Sequence, residues 1–341
     1  MRNFAFDAAT TLKQAAAAAS LACEAMLAPD GGASAPETTI VKAGGIDLLD
    51  LMKEGLVAPA KLTSLRGLAD LASIEPQGDG GLRIGALVTL ARLASDGTVR
   101  KLYPALADAA GDSASPEIRN AATLGGNLLQ RPRCWYFRAA EFRCLRKGGG
   151  HCFAIAGENQ YHAIFDNRFC AIVHPSTSAT ALIALGAEIE LVDADGAARR
   201  LALEDFFIGP DKDVQRENDL RPHEVLTAVT LPGAAGVKTA HLKLAQKQSF
   251  DWPLVDIAVA LDLGPDGVCR KASIVLGAVA PTPRRARAAE AALAGRLVDA
   301  RSAAAAGRAA LEGATPLAKN AYKAPMLETL VRRAVLQAAG A

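Results

Sequence analysis

The alternation of apolar and polar positions predicts helices and strands in turn along most of the chain. Residues 15–28 form an alanine-rich stretch that follows Asp7, a candidate N-cap, and stops before Pro29, which predicts a packed helix. A charged residue interrupts this stretch, so it does not match an export signal, and no other window holds about 18 uninterrupted apolar residues. We therefore expect a chain that does not span a membrane.

Two glycine pairs lie within apolar surroundings. A β-branched run at 38–42 passes through Gly44 and Gly45 into a helical apolar pattern, and a second pair is formed by Gly125 and Gly126. Glycine lets a backbone take positive φ values and approach a ligand closely, and successive N–H groups suit a pyrophosphate. Neither pair has the third glycine of the Rossmann spacing, so a standard NAD fold is not supported. Two interpretations stay open, a dinucleotide cradle and two tight turns.

The remaining pattern changes after the polar stretch 215–221, where longer strands and a helical tail begin. The predicted strands are 61–65, 82–87, 171–173, 187–193, 226–231, 241–245, 256–263 and 272–279. The predicted helices are 90–100, 103–112, 178–185 and an alanine- and arginine-rich tail after 281–283. Segment 130–170 has neither period and is predicted to be a long irregular loop.

Composition excludes several classes of protein. Apolar residues make up 50% of the chain and charged residues 22%, which is typical of a globular fold and not of a disordered chain. The 38 Lys and Arg residues nearly balance the 36 Asp and Glu residues, and the formal net charge is +2. Because non-specific nucleic-acid binding needs a strongly basic surface, we expect no nucleic-acid partner.

Four of the six cysteines lie in the predicted irregular loop: Cys134, Cys144, Cys152 and Cys170. A loop of this length inside a compact domain needs a crosslink or a metal centre to order it. No two of the four have the two-residue gap of zinc ribbons or bacterial ferredoxins, yet thiolates on a flexible loop can converge on one iron–sulfur cubane. Cys23 and Cys269 fall in helix and strand patterns and are predicted to be ordinary buried thiols.

The residues favour an iron–sulfur cluster and leave three other interpretations open. Six basic side chains near the cysteines could offset cluster charge and donate hydrogen bonds to sulfur: Arg131, Arg133, Arg138, Arg143, Arg146 and Lys147. Two disulfides would need an oxidising compartment, and four unrelated buried thiols would need no ligand. Zinc could use His151 in place of one thiolate.

Five segments, in matching order over more than 200 residues, resemble the FAD-binding medium subunits of the molybdenum hydroxylases, the family of xanthine dehydrogenase, aldehyde oxidase and carbon monoxide dehydrogenase. They are IVKAGGIDLLDLMK at 40–53, LRIGALVTLARLA at 82–94, SPEIRNAATLGGNLL at 115–129, HPSTSATALIALGAEIELV at 174–192 and LKLAQKQSFDWPLVDIAVAL at 242–261. The first and third resemble the two FAD loops of the family.

An insertion separates this chain from most members of that family. A stretch of 46 residues, 128–173, lies between Asn127 and His174, where most members pass quickly from the second FAD loop to the next strand. Within it, LLQRPRCWYFR and GENQYHAIF resemble the branch with an additional [4Fe-4S] cluster, as in bacterial periplasmic aldehyde oxidoreductases and 4-hydroxybenzoyl-CoA reductase. The resemblance implies that the four cluster ligands are Cys134, Cys144, Cys152 and Cys170.

The resemblance also implies an α+β protein in three parts. Residues 1–60 would form an N-terminal FAD-binding subdomain, and residues 61–222 a second one with the insertion at about 130–172. Together they would make the FAD-binding PCMH fold of the vanillyl-alcohol-oxidase type. Residues 223–341 would form a C-terminal α+β domain like that of the CO dehydrogenase flavoprotein.

The FAD contacts that the resemblance implies come from both loops and from three further positions. The first loop would cradle the pyrophosphate with Val41, Lys42, Ala43, Gly44, Gly45, Ile46, Asp47 and Leu48. The second loop would close the other side with Thr123, Gly126 and Asn127, while Asp166, Leu226 and Lys243 would lie toward the ribose, adenine or ring. Ile46 replaces a usual Thr, and Thr177 stands where the family often has Asp, so the hydrogen bonds of those two side chains are not expected here.

The implied role is electron transfer, with no acid or base on this chain. A large partner subunit with a molybdopterin cofactor would oxidise an aldehyde, and a small partner subunit with two [2Fe-2S] clusters would relay electrons to FAD. The FAD and the [4Fe-4S] cluster would pass them to an external acceptor. The alternative is the flavin and iron–sulfur subunit of a 4-hydroxybenzoyl-CoA reductase-like or N-heteroaromatic-hydroxylating enzyme. We expect a cytoplasmic location, or a periplasmic one through export with a signal-bearing partner.

Overall fold

The computed structural model describes residues 2–21, 27, 38–248 and 250–340. Its strands are β1 Ala5–Ala8, β2 Thr39–Lys42, β3 Lys61–Ser64, β4 Ile74–Pro76, β5 Leu82–Gly85, β6 Glu188–Val192, β7 Ala198–Ala202, β8 Val225–Leu231, β9 Val237–Ala245, β10 Pro253–Leu263, β11 Cys269–Gly277 and β12 Arg284–Arg285. Its helices are α1 Leu12–Ala18, α2 Ile46–Lys53, α3 Leu90–Ser95, α4 Gly97–Leu102, α5 Pro104–Gly111, α6 Pro116–Ala121, α7 Leu124–Leu128, α8 Trp135–Arg138, α9 Phe153–Ala156, α10 Thr177–Ala184, α11 Leu203–Phe206, α12 Arg287–Leu293, α13 Ala300–Ala309 and α14 Lys323–Ala339. Among these described helices, none has both the length and the apolar character that crossing a membrane requires.

The first unit is a three-stranded parallel sheet in the order β1-β3-β2. Because β3 is its central strand, this unit continues past residue 60, where the sequence placed its end. The predicted N-cap is also wrong: Asp7 lies in β1 and pairs with Lys61 at 2.5 Å, while Thr11 caps α1 by accepting the N–H of Gln14 at 3.2 Å. Most of the predicted 15–28 helix, with Cys23, lies outside the described residues.

The second unit contains a five-stranded antiparallel sheet in the order β4-β5-β8-β6-β7. Its central strand β8 lies beyond residue 222, so the predicted domain boundary is too early and belongs after Leu231. The predicted helix 90–100 is broken at Asp96, whose carboxylate accepts N–H groups at the start of α4. The predicted strand 171–173 is buried but unpaired in any ladder, because it runs between the insertion and α10 with no strand beside it.

Glu190 on β6 links three strands of this sheet. Its carboxylate accepts hydrogen bonds from Arg83 on β5 at 2.9 Å, from Arg200 on β7 at 2.7 Å and from Thr227 on β8 at 2.9 Å. Burial raises the pKa of Glu190, but these three donors outweigh burial and lower the pKa to about 2 from 4.5. The ionised carboxylate therefore stabilises the fold.

We expect Glu190→Gln to lower the thermal unfolding midpoint at neutral pH, because the substitution leaves Arg83 without its carboxylate. A lowered carboxylate pKa stabilises the folded state only while the group is ionised. The difference in unfolding midpoint between the variant and the wild type should be largest above pH 4.5. It should become smaller as the pH is lowered and vanish near a pH of about 2. Thermal unfolding across this range measures the difference, and an equal difference at every pH would contradict the assignment.

The third unit is a four-stranded antiparallel sheet in the order β12-β11-β10-β9. The C-terminal helices α12, α13 and α14 cover one face of this sheet and share its apolar core. Helices α5 and α10 of the second unit pack on the other face, which explains why β10 is buried along eight consecutive residues. Cys269 is a fully buried free thiol in this sheet, as predicted. The interface of β9 with α5 brings the third unit to the cavity described next.

Candidate functional site

A cavity of about 390 Å³ lies where the three units meet. Its walls come from 40–48 in the first unit, from 113–115 and 122–131 in the second, and from 250–253 in the third. The residues that the sequence assigned to FAD and that line this cavity are Val41, Lys42, Ala43, Gly44, Gly45, Ile46, Asp47, Leu48, Thr123, Gly126, Asn127, Leu226 and Lys243. The tertiary structure thus brings both glycine loops and the β9 lysine to one site.

Asp166 is the assigned FAD residue that does not line the cavity. Its carboxylate is half exposed and pairs with Arg284 at 2.7 Å, and Arg284 in turn lies over the ring of Phe165. The insertion carries Asp166 toward the third unit and away from the cavity. The structure therefore does not bring Asp166 to this cavity.

The first glycine loop presents open donors to the cavity. Gly45 is the N-cap of α2 with φ at +83°, and no side chain accepts from the first N–H groups of this helix. Open N–H groups and the helix dipole favour an anion. Lys42 folds over the loop, since a Cβ at Gly45 would lie 2.4 Å from its Cε. Burial lowers the pKa of Lys42, and nearby Arg66 adds to this. The loop offers what a pyrophosphate needs.

Gly44 lets the first loop pack on the second unit. A Cβ at this position would lie 2.2 Å from the carbonyl oxygen of Ala121, at the end of α6. We expect Gly44→Ala to displace the loop and lower FAD content severely, because backbone oxygen cannot give way as a flexible side chain can. The flavin absorbance per protein measures the loss. Gly97→Ala is the control, since a Cβ there meets nothing within 4 Å, and equal flavin loss in both variants would refute the explanation.

The second glycine pair lies inside a helix and not in a tight turn. Gly125 and Gly126 belong to α7, and the hydroxyl of Thr123 caps this helix by accepting the N–H of Gly126 at 3.2 Å. Asn127 accepts a hydrogen bond from Ser176 at 2.6 Å, which joins α7 to the start of α10. The sequence singled out these two glycines but did not predict that they are helical, because a helix of only one turn is too short to show a period in the sequence.

Ile46 and Thr177 are the two residues that depart from the family pattern. Ile46 is an exposed apolar side chain on the first turn of α2 and supplies no hydrogen bond. The hydroxyl of Thr177 is buried, donates to the carbonyl oxygen of Ala109 at 3.1 Å and lies 2.8 Å from Ser113 Oγ. The Thr177 hydroxyl therefore joins α10 to α5, and Thr177 supplies no carboxylate at this position.

The four insertion cysteines converge beside the first unit. They are all free thiols. Cys152 and Cys170 lie beside each other, and Cys134 lies close enough to Cys144 and Cys170 for their thiols to influence one another. Burial raises the pKa of Cys134 to about 12, whereas the contact with Cys170 lowers the pKa of Cys152 to about 6. The segment predicted to be an irregular loop therefore contains the short helices α8 and α9, and it places its four thiols near one another.

The arrangement of these thiols bears on the alternatives left open by the sequence. No disulfide joins any of the described cysteines. In the described part of the chain, no three Cys, His, Asp or Glu side chains stand close enough to ligate one metal ion. His151 packs on Phe153 with ring centroids 4.2 Å apart, and it is His162 whose Nε2 lies 3.1 Å from Cys134 Sγ. Burial lowers the pKa of His162 to about 4, so its imidazole is neutral at physiological pH.

Asp47 connects the glycine loop to the cysteine segment. Its carboxylate accepts the backbone N–H of Arg131 at 2.8 Å and pairs with Arg133 at 2.7 Å and with Arg138 at 2.6 Å. Arg133 directly precedes Cys134, so the flavin-side loop and the first cysteine are held by one carboxylate. Burial lowers the pKa of Arg133, and Asp47 opposes this shift. The guanidinium groups of Arg133 and Arg138, two of the six predicted cluster cations, are thus paired with Asp47, whereas Arg131 gives this carboxylate only its backbone N–H.

Two other basic residues remain beside the cysteines. Arg146 is 1% exposed, pairs with Glu217 at 2.8 Å and contacts Cys170, while its Nε and Nη2 atoms make no well-aligned hydrogen bond. Lys147 donates to the carbonyl oxygen of Ala139 at 2.6 Å and interacts with Cys144. A buried N–H donor without an acceptor destabilises a fold. The two Arg146 donors therefore suit a site in which an acceptor binds beside the thiols.

Sequence reasoning missed Glu217 and two aromatic side chains. Glu217 is buried and binds both Arg131, which lies before the first of the four cysteines, and Arg146, which lies between the second and the third. Phe250 and Trp252 line the cavity although their side chains are 64% and 50% exposed. Both aromatic residues lie in the segment 242–261 that resembles the family, but neither of them was assigned a role from the sequence.

Two family models together match nearly the whole chain. Residues 5–234 match the FAD binding domain in molybdopterin dehydrogenase, and residues 240–338 match the CO dehydrogenase flavoprotein C-terminal domain. The junction between them falls after β8, in agreement with the sheet topology. The fold and the cavity therefore define a FAD-binding protein of the molybdopterin dehydrogenase type.

Individual relatives support this class. The aldehyde oxidoreductase FAD-binding subunit PaoB of Escherichia coli K12 is 40% identical over 253 residues, which cover 74% of this chain and 78% of the relative. The carbon monoxide dehydrogenase medium chain of Afipia carboxidovorans is 30% identical over 311 residues, 87% of each chain. The structure of quinoline 2-oxidoreductase from Pseudomonas putida 86 superposes with a TM-score of 0.73 at 26% identity, covering 99% of this chain and 98% of that chain. The chain belongs to the FAD-binding medium subunits of the molybdenum hydroxylases and is an FAD-binding oxidoreductase subunit.

Proposed function

We propose that this chain carries FAD and a [4Fe-4S] cluster in a heterotrimeric molybdenum hydroxylase that oxidises aldehydes. The observation that carries the proposal is the convergence of four insertion thiols at a segment tied to the flavin cavity by Asp47. Aldehyde chemistry is supported by the 40% identity to the aldehyde oxidoreductase subunit. The large partner would hold the molybdopterin cofactor, and the small partner two [2Fe-2S] clusters.

The thiol group fits an iron–sulfur cubane better than a single ion. A cubane has an iron at each of four corners, so its ligands stand farther apart than those of one metal ion, which suits four thiols that do not form a compact single-ion site. The pKa of Cys134, raised by burial, keeps its thiol protonated, and metal binding would release that proton. The free N–H groups of Arg146 would then find acceptors in cluster sulfur.

The isoalloxazine ring would lie at the end of the cavity formed by Lys243, Phe250 and Trp252. Flat aromatic side chains can cover a flat ring. Arg133 lies 5.0 Å above the Trp252 ring and directly precedes Cys134, which connects this end of the cavity to the cysteine segment. Electron transfer between the two cofactors favours such a connection.

The residues of this chain bind, orient and shield, whereas the cofactors supply the redox chemistry: FAD accepts electrons singly and releases them singly or in pairs. Lys42 and the start of α2 hold negative charge at the glycine loop. Asp47 fixes the position of Arg133, and Arg133 supports Trp252 at the mouth of the cavity. The route proposed for electrons runs from partner [2Fe-2S] clusters through this chain to an external acceptor.

The second candidate is a flavin and iron–sulfur subunit of a complex that acts on an N-heteroaromatic compound or, like 4-hydroxybenzoyl-CoA reductase, on an aromatic thioester. This candidate is supported by the superposition on the chain from quinoline 2-oxidoreductase. Substrate class is a property of the molybdenum partner. Reduction of the flavin in the purified complex by aldehydes, and not by quinoline-type compounds, would select the first candidate.

We propose a cytoplasmic location, with periplasmic export alongside a signal-bearing partner as the alternative. Fractionation of cells that express the native complex separates these two compartments.

The central experiment is purification of the complex, followed by its spectrum and analysis for iron and flavin. We expect flavin bands with a broad iron–sulfur shoulder, and about four irons per FAD in the separated chain. A chain with FAD but without iron would remove the cluster from the proposal. A chain that purifies alone and colourless would remove the cofactor role altogether.

A further inference from the structure

A buried histidine lies between two carboxylates where the third unit packs on the second. His241 on β9 is 3% exposed, and neither ring nitrogen has a hydrogen-bond partner. Its Nδ1 lies 3.9 Å from a carboxylate oxygen of Asp112, and its Nε2 lies 3.8 Å from one of Asp256. Both separations slightly exceed hydrogen-bond length, so a modest rotation of the imidazole brings either nitrogen within range.

Asp256 on β10 is an unusual group to bury. It is 1% exposed, and its Oδ1 atom has no hydrogen-bond partner. Gly277 makes room for it, since a Cβ there would lie 2.4 Å from Asp256 Oδ1 and 2.5 Å from Thr180 Oγ1. A buried carboxylate without donors is costly, and apolar side chains would stabilise the same interface more cheaply. The arrangement therefore calls for a role other than packing.

His241 and Asp256 lie next to a residue that lines the flavin cavity and next to a residue that is exposed to solvent. Asp256 and Lys243 lie opposite each other in the β9–β10 ladder, and Lys243 lines the cavity. His241 and Lys243 are two residues apart on β9, so their side chains leave the same face of the sheet. The Asp112 side chain is 56% exposed, and its carbonyl oxygen accepts a hydrogen bond from Lys243 at 2.8 Å.

We propose that these four side chains form a proton relay between solvent and the flavin ring: Asp112, His241, Asp256 and Lys243. The inference rests on the proposed position of the ring beside Lys243. Full reduction of a flavin takes up two electrons and two protons, and iron–sulfur clusters supply electrons only. Lys243 gives an ammonium proton to the reduced ring and is left as a neutral amine. That amine is reprotonated from solvent through the other three groups, and reoxidation returns the protons by the same path.

An imidazole suits the middle position, because it can accept a proton on one nitrogen and release the other from its second nitrogen. Burial lowers the pKa of Lys243, which makes its ammonium a better donor, while Asp112, Asp256 and Asp251 oppose that shift. The charged groups beside His241 are Asp112 at the end of α5 and Asp256 on β10. Those beside Lys243 are Asp112, Asp256, Asp251 and Arg119, and Arg333 of α14 lines a second cavity with Lys243. Helix α10 brings no charge to this interface.

The test is rapid reduction of FAD in the purified complex by dithionite, followed at the flavin band in H2O and in D2O across a range of pH. We expect His241→Gln to slow flavin reduction at least about tenfold, to change the dependence of the rate on pH and to enlarge the solvent isotope effect. Asp256→Asn should do the same. Wild-type rates, pH profile and isotope effect in a flavin-loaded His241→Gln protein would overturn the relay.

Thr239→Val is the matched control. Thr239 lies on β9 at the same interface, where its hydroxyl accepts the N–H of Ala105 at 3.4 Å. This variant should shift the unfolding midpoint without changing the pH profile, whereas a profile changed as in His241→Gln would show that the effect is structural and overturn the relay.

Asp112→Asn tests the relay at its exposed end even if the buried variants fold poorly, because the backbone oxygen that holds Lys243 is retained. A slowed, pH-shifted reduction supports the relay, and an unchanged one overturns it. Failure of the relay and failure of the proposed function give different results. If the proposed function is wrong, the chain binds no flavin at all.

Discussion

Asp47→Ala is expected to release FAD and iron together. The substitution removes the acceptor for the Arg131 N–H and the carboxylate that pairs with Arg133 and Arg138. Arg138 is only 8% exposed on its side chain and would lose its shortest ion pair while it keeps Glu54 at 3.3 Å, and the loss of a hydrogen bond between charged groups costs about 2 kcal/mol. That energy corresponds to a loss of roughly 30-fold in FAD affinity if it acts by displacing the loop. Flavin and iron per chain are the quantities to measure.

Asp50→Ala is the matched control for this prediction. Asp50 contacts the same two arginines, at 3.4 Å and 3.5 Å, but its side chain is 51% exposed. Exposed ion pairs contribute about 1 kcal/mol or less. This variant should keep its flavin and iron. An Asp47→Ala protein with full cofactor content, or an Asp50→Ala protein that loses as much, would show that the carboxylate of Asp47 does not hold the two sites together.

Cys144→Ser is expected to lose most of its iron while it keeps FAD. Serine is close in size to cysteine but is a poor ligand for iron, because its hydroxyl gives up a proton far less readily than a thiol and its oxygen is a harder ligand atom than sulfur. Cys144 is buried and is not among the residues that line the flavin cavity. The iron–sulfur shoulder should disappear and the flavin bands should remain. Iron analysis and the visible spectrum of the same sample measure both effects.

Cys269→Ser controls for the loss of a buried thiol as such. Cys269 is fully buried in the sheet of the third unit, away from the insertion. It should reduce stability and leave the iron content unchanged. If Cys144→Ser retained its iron, Cys144 would not be a ligand, and if it lost FAD as well, the cysteine segment would also support the flavin cavity.

Short-range pattern was sufficient for much of the fold. The apolar periods predicted β2 and α2 around Gly44 and Gly45, as well as the long strands of the third unit. Errors arose where long-range pairing decides the outcome. The strand β8 was placed in the third unit because it follows a polar stretch, yet its partners β5 and β6 lie in the second unit. A strand carries no local record of the strands that it will pair with.

The sequence by itself determined which residues can bind: glycines that permit close backbone approach, and four cysteines in a segment with no regular period. Resemblance to a known family then assigned FAD to the one and a cluster to the other. Only the tertiary structure decided how they are joined, because Asp47 and Glu217 lie far along the chain from some of the arginines that they bind. It also moved Asp166 away from the cavity and placed His241 between two carboxylates, since positions distant in sequence meet only when the three units pack.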